Sequence, residues 1–97
     1  MIQNAGTQIA TADAAVGSSG VAVRIFAMHI ISGGAAGVVS LRNGTAASAT
    51  AYVTETGTVG TGQTYNYGAQ GFLFPAGCFI DLDSNTTSVL VSFNYAS

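Results

Sequence analysis

Val21-Ala22-Val23-Arg24-Ile25-Phe26-Ala27-Met28-His29-Ile30-Ile31-Ser32 is the stretch whose reading decides the fold. Side chains of a β-strand point alternately to opposite faces, so a period of two sorts the residues into two sets. Val21, Val23, Ile25, Ala27, His29 and Ile31 form one set; Ala22, Arg24, Phe26, Met28 and Ile30 form the other. Both are largely apolar. That predicts a central strand, covered on both sides for part of its length. It is not a membrane span, because Arg24 and His29 interrupt it and it falls well short of the roughly 20 residues that cross a bilayer.

Outward from this strand the β signals recur at regular spacing. Residues 32–37 read as a hairpin loop in which glycine supplies positive φ, and residues 38–42 return antiparallel. Asn43-Gly44-Thr45 is a turn, and residues 49–56 form the next strand. Residues 57–71 differ in kind: they are glycine-rich, hold Val59 as their one aliphatic core residue, and carry Tyr65-Asn66-Tyr67. Long connections of this kind are often functional, although a short strand around residues 63–67 is expected to interrupt this one. Residues 72–74 lead into the turn Pro75-Ala76-Gly77, residues 78–82 form a strand, and residues 83–86 read as a hairpin bend. The last strand, residues 88–95, sets Val89, Val91, Phe93 and Tyr95 against Leu90, Ser92 and Asn94.

On the N-terminal side, residues 7–11 read as a weaker strand. The alanines of residues 11–16 tolerate helix, but Gly17-Ser18-Ser19-Gly20 stops it within about a turn, so the segment reads as loop. The expected fold is all-β: a single antiparallel β-sandwich or jelly-roll-like domain of about seven or eight strands over residues 20–97. Residues 1–19 precede it as an extension with a possible short strand, a candidate arm for a neighbouring molecule.

Composition bounds the function. The charged residues are Arg24, Arg42, Asp13, Glu55, Asp81 and Asp83, with no lysine, in 97 residues. Soluble domains usually carry about 25% charged residues. Here Gly, Ala, Ser, Thr and Asn take their place, giving a surface poorly protected against association and suited to cover by other protein. A net charge of −2 with two arginines gives no basic stripe for nucleic acid. The start of the chain lacks a basic region followed by an apolar one, so the expectation is synthesis in a host cytoplasm without a standard export signal, and no membrane partner.

Nothing in the sequence assembles catalytic chemistry, and no cofactor is expected. His29 is the sole histidine and sits in line with Ile25, Ala27 and Ile31; a nucleophilic triad needs a base beside its nucleophile and a third group to orient it. Zinc needs more Cys and His ligands than the chain has. Cys78, the lone cysteine, reads as a buried inert thiol. Asp81-Leu82-Asp83 reads as a strand end and turn, with calcium a minor alternative beside Ser84, Asn85 and Thr86. The glycines at 57, 60 and 62 do not open a helix after a strand, so they form no dinucleotide fingerprint.

The candidate contact residues are Arg24, Arg42, Tyr65, Asn66 and Tyr67. Arginine is enriched at interface hot spots. Arg42 is expected to pair with Glu55 across adjacent strands, and Arg24 with an acid on a neighbouring subunit. The tyrosines, flanked by Gly, Asn, Gln and Thr, have the composition of an adaptable binding loop for protein or glycan.

The block Val38-Val39-Ser40-Leu41-Arg42-Asn43-Gly44-Thr45, preceded by Ile30-Ile31-Ser32-Gly33-Gly34-Ala35-Ala36-Gly37, resembles a pattern in small structural proteins of tailed bacteriophages. Downstream, Gly71-Phe72-Leu73-Phe74-Pro75-Ala76-Gly77 resembles the same group's Phe-Pro-x-Gly turn. The resemblance spans roughly residues 21–91 and rests on fold-maintaining residues. It implies a non-enzymatic virion protein on the capsid surface: a decoration or cement protein, often a homotrimer, whose partner is the major capsid protein. The alternative it implies is a tail or fibre module that binds a receptor or glycan. It carries no active residues to transfer.

Overall fold

A computed structural model of the chain describes residues 6–96. Nine strands and no helix are formed among them: β1 (Gly6–Ala10), β2 (Ala14–Ala15), β3 (Val23–Ser32), β4 (Val38–Asn43), β5 (Thr50–Thr56), β6 (Gly62–Asn66), β7 (Phe72–Phe74), β8 (Cys78–Leu82) and β9 (Thr86–Tyr95). They make two antiparallel sheets. One has the order β1-β9-β3-β6, with β7 also on β3; the other has the order β2-β8-β4-β5. With the short β7 set aside, the pairings nest: β1 with β9, β2 with β8, β3 with β6, β4 with β5. Rolling that nested ribbon adds β3 to β9 and β4 to β8, which yields the jelly-roll order.

The core fills the space between the sheets. Val23, Ile25, Met28, Ile30, Val89 and Val91 come from the first sheet, Val39, Leu41 and Ile80 from the second, all fully buried. Residues on two inner faces interdigitate in this way while their neighbours point to solvent. One irregularity controls which residues those are. In β3 the register against β9 shifts between Ile25 and Ala27, so Phe26 is the extra residue of a β-bulge. Before it, odd-numbered side chains point inward; after it, even-numbered ones do. The two apolar sets of residues 21–32 are therefore one buried set interrupted by a change of parity, and His29 and Ile31 lie on the outer face.

Two expected hairpins are connections between the sheets. β3 and β4 belong to different sheets, as do β8 and β9, so residues 33–37 and 83–85 are arches. The residue types that favour a hairpin bend also favour an arch, which is why composition did not separate them. The arches bond to each other: Gly33 N donates to Asn85 O at 2.9 Å and Asp83 N to Val38 O at 3.1 Å. Gly37 permits the approach, since a Cβ there would lie 2.9 Å from Thr86 Cα. Asn43-Gly44-Thr45, by contrast, does open the connection between the paired strands β4 and β5.

The expected division at residue 19 falls inside the sandwich. β1 is hydrogen-bonded along β9, β2 along β8, and Val16 is fully buried. Gln8 ties the two together, donating through Nε2 to Ala15 O and accepting from Gly17 N, both at 2.8 Å. The segment read as loop is stitched to the core by β-pairing too short to leave a periodic signal. Of the candidate arm, Met1 to Ala5 lie outside the described residues.

Candidate functional site

The charged side chains are occupied by the chain itself. Arg42, on the outer face of β4, meets Asp81 of β8, with Nε and Nη2 each 2.9 Å from Oδ2, while its Nη1 donates to Ala49 O at 2.9 Å. This corrects the expected Arg42–Glu55 pair. Glu55 lies opposite the buried Val39, so it points toward the interior and accepts a hydrogen bond from Tyr67 Oη at 3.1 Å. Asp13 accepts from Leu82 N at 2.9 Å. Asp83 closes the β8–β9 arch, accepting from Asn85 N at 3.1 Å and Thr86 Oγ1 at 3.0 Å. Slight burial works against its charge, but the Thr86 side chain and neighbouring backbone groups hold its carboxyl below the ordinary value. Arg24 donates to Gln70 O at 3.4 Å. All six charged residues are thus bonded within the molecule.

The tyrosine segment is rearranged relative to the loop expected from composition. Tyr65 and Asn66 lie on β6, and Asn66 faces outward and is exposed. Tyr65 and Tyr67 turn inward and pack on the core; Tyr65 Oη donates to Thr56 O. Burial, followed by the nearby Glu55 carboxylate, pushes the Tyr67 phenol well above its ordinary value, so it is a neutral donor at any physiological pH. These rings close the β5/β6 side of the sandwich. Tyr52, Phe72 and Phe74 continue the closure, with Tyr52 and Phe74 stacked at a centroid distance of 5.5 Å.

Arg24, Arg42 and Tyr65–Tyr67 are not brought together. What the fold does assemble is an outer face on the five-stranded sheet that sequence reading missed. The registers align Ile9, Leu90, His29 and Thr64 across four strands. Ile9 is 68% exposed and Ile31, two residues along from His29, is 40% exposed. His29 Nδ1 and Thr64 Oγ1 share a 2.6 Å hydrogen bond, and the ring lies where a Cβ on Gly62 would be. Among the described residues, Arg24 is the only charged one on this face. The signal was the parity change at Phe26, which transfers His29 and Ile31 outward and has no mark in composition.

Cys78 is buried against the core, and burial pushes its thiol up to about 12. Among the described residues no three His, Cys, Asp or Glu side chains gather as a metal site, and no helix is long and apolar enough to cross a membrane. Comparison with family models, with curated proteins and with solved structures found no match.

Proposed function

We propose that this chain is a non-enzymatic structural protein of a virion, a decoration protein that seats on the outer capsid shell through neutral contacts. The observation that carries the reading is that all six charged side chains are bonded within the molecule. Recognition of another surface is left to small neutral side chains and to the apolar outer face around Ile9, Leu90, His29 and Ile31. Such surfaces associate by close packing and exclusion of water, which suits a lattice of many identical weak contacts. The jelly-roll order agrees with the reading at the level of fold analogy alone, since that architecture also serves unrelated roles. The proposed partners are the major capsid protein and further copies of the chain, as a trimer.

The reading is tested on purified tailed-phage particles from the culture that yields the chain. Immunogold label over the shell facets, retained after a wash in about 1 M salt, is the expected result, since salt screens charge contacts and strengthens neutral ones. Label confined to the tail tip, or absent from particles, would overturn it. Light scattering on the purified protein measures the oligomer directly.

A further inference from the structure

Three separate features meet at the end of the outer face away from Ile31. The first is a shallow, open groove of about 450 Å³ lined by Gly6, Thr7, Phe26, Ser92, Phe93 and Asn94. The second is the β3 bulge, which re-aims Phe26 at this level. Bulges are over-represented beside functional sites for this reason. The third is Asn94, whose Oδ1 is buried and has no hydrogen-bond partner among the described residues; no other buried side-chain oxygen or nitrogen there shares that condition. An unpaired buried acceptor forfeits its hydration without compensation and calls for an explanation.

We infer that this groove binds a neutral hexopyranose. The lining holds no charged side chain, which disfavours phosphates and carboxylates, whose desolvation would go uncompensated. It offers instead an aromatic ring, two hydroxyls (Thr7 and Ser92) and one carboxamide. The Phe26 ring is set in place by Gly71, where a Cβ would stand 2.9 Å from Cδ1. A sugar ring matches this set: its C–H face packs on an aromatic ring while its hydroxyls donate and accept around the rim. Because Asn94 Oδ1 makes no hydrogen bond among the described residues, turning that side chain toward a sugar hydroxyl breaks none of those found there and gains one. The open shape admits a terminal sugar and leaves the rest of a chain in solvent. The groove shares the outer face with the proposed shell-binding patch, Thr7 and Ser92 standing two residues along their strands from Ile9 and Leu90, but sugar binding by the isolated chain is read without the shell.

The experiment is amide-resolved NMR on the full chain, titrated with the methyl glycosides of glucose, galactose, mannose and N-acetylglucosamine, each to about 50 mM. At least one is expected to shift the amides of Thr7, Phe26, Ser92 and Asn94, with a Kd of about 1–10 mM. Asn94→Ala should weaken it about tenfold, and Ile31→Ser should leave it unchanged. If Asn94→Ala fails to fold, Thr7→Ala at the exposed rim replaces it. The inference is overturned if no glycoside moves the groove amides or if the rim variant binds as tightly as the parent. It also fails if those amides move with protein concentration alone, which would assign the groove to a second copy.

Discussion

Ile30 and Ile31 are adjacent, chemically identical, and separated by the parity that the Phe26 bulge imposes. Ile30 is fully buried between the sheets; Ile31 is 40% exposed on the outer face. Truncating Ile30 to alanine removes three carbons, about 2.4 kcal/mol of transfer free energy at about 0.8 kcal/mol each. The cavity left in a packed interior raises the loss to about 3–4 kcal/mol. For a domain of this size each kcal/mol shifts Tm by about 4–8 °C, so Ile30→Ala should melt about 15–25 °C below the parent. Ile31→Ala leaves no closed cavity and should cost less than about 1 kcal/mol. Urea denaturation followed by far-UV circular dichroism gives both numbers, with equal m-values required for the comparison. An unbroken alternation from Val23 and Ile25 would instead bury Ile31. Equal losses, or a larger loss at Ile31, would therefore refute the bulge and the outer face built on it.

Three further outcomes follow from specific contacts. A double-mutant cycle on Arg42→Met and Asp81→Asn should return a coupling of about 0.5–1.5 kcal/mol in urea melts, and zero coupling would reduce the pair to a geometric coincidence. The Cys78 thiol, raised from 9.0 to about 12 by burial, favours the folded state fully below pH 9. That contribution fades as pH rises toward 12, by about 1.4 kcal/mol at pH 10, so Cys78→Ala should have a flatter stability curve between pH 8 and 10 than the parent. Gly37→Ala drives a Cβ into Thr86 where the two arches meet, whereas Gly34 has open space around it. Thermal melts should show a loss of about 2 kcal/mol or more for the first and within about 0.5 kcal/mol for Gly34→Ala.

The β-class was legible because alternation is written in the residues themselves: Val89, Val91 and Phe93 point inward as their spacing predicts. Strand pairing was not. Whether Gly33-Gly34-Ala35-Ala36 folds a hairpin back or carries the chain to the other sheet depends on what β9 and β8 do some fifty residues later. Such long-range choices leave no local residue preference. The bulge at Phe26 was hidden for a related reason, since an extra residue is visible only against the partner strand. At the candidate site, residue type predicted partners poorly. Arg42 had two acids within reach, and the register, which sets Ser40 opposite Asp81, decided for Asp81. The tyrosines had the composition of a binding loop, yet β6 places Tyr65 and Tyr67 on its buried side, where they serve the core.

The chain also has to protect its sheet edges without lysine. An exposed edge strand is a template for unwanted pairing, and proteins blunt it with charges, bulges, shortness or an inward-pointing charge. β5 is an edge strand of seven residues and uses two of these devices: a register shift between Leu41 and Arg42, and Glu55 turned inward onto Tyr67. β2 is two residues long, and β7 only three. β1 has none of these protections: it carries no charge, no proline and no bulge, and its Ile9 is the most exposed large hydrophobic described. Gln8 holds it rigid from the inside, so it offers an ordered edge at little entropic cost. The guarded edge and the open one lie on opposite flanks of the sandwich. Glu55 and the bulge therefore guard the β5 edge of one sheet, whereas the other sheet ends in β1 and in β6, five uncharged residues paired to β3 without a register shift. What distinguishes β1 from β6 is Ile9, 68% exposed beside the apolar outer face, so at the β1 edge backbone pairing and apolar burial reinforce each other.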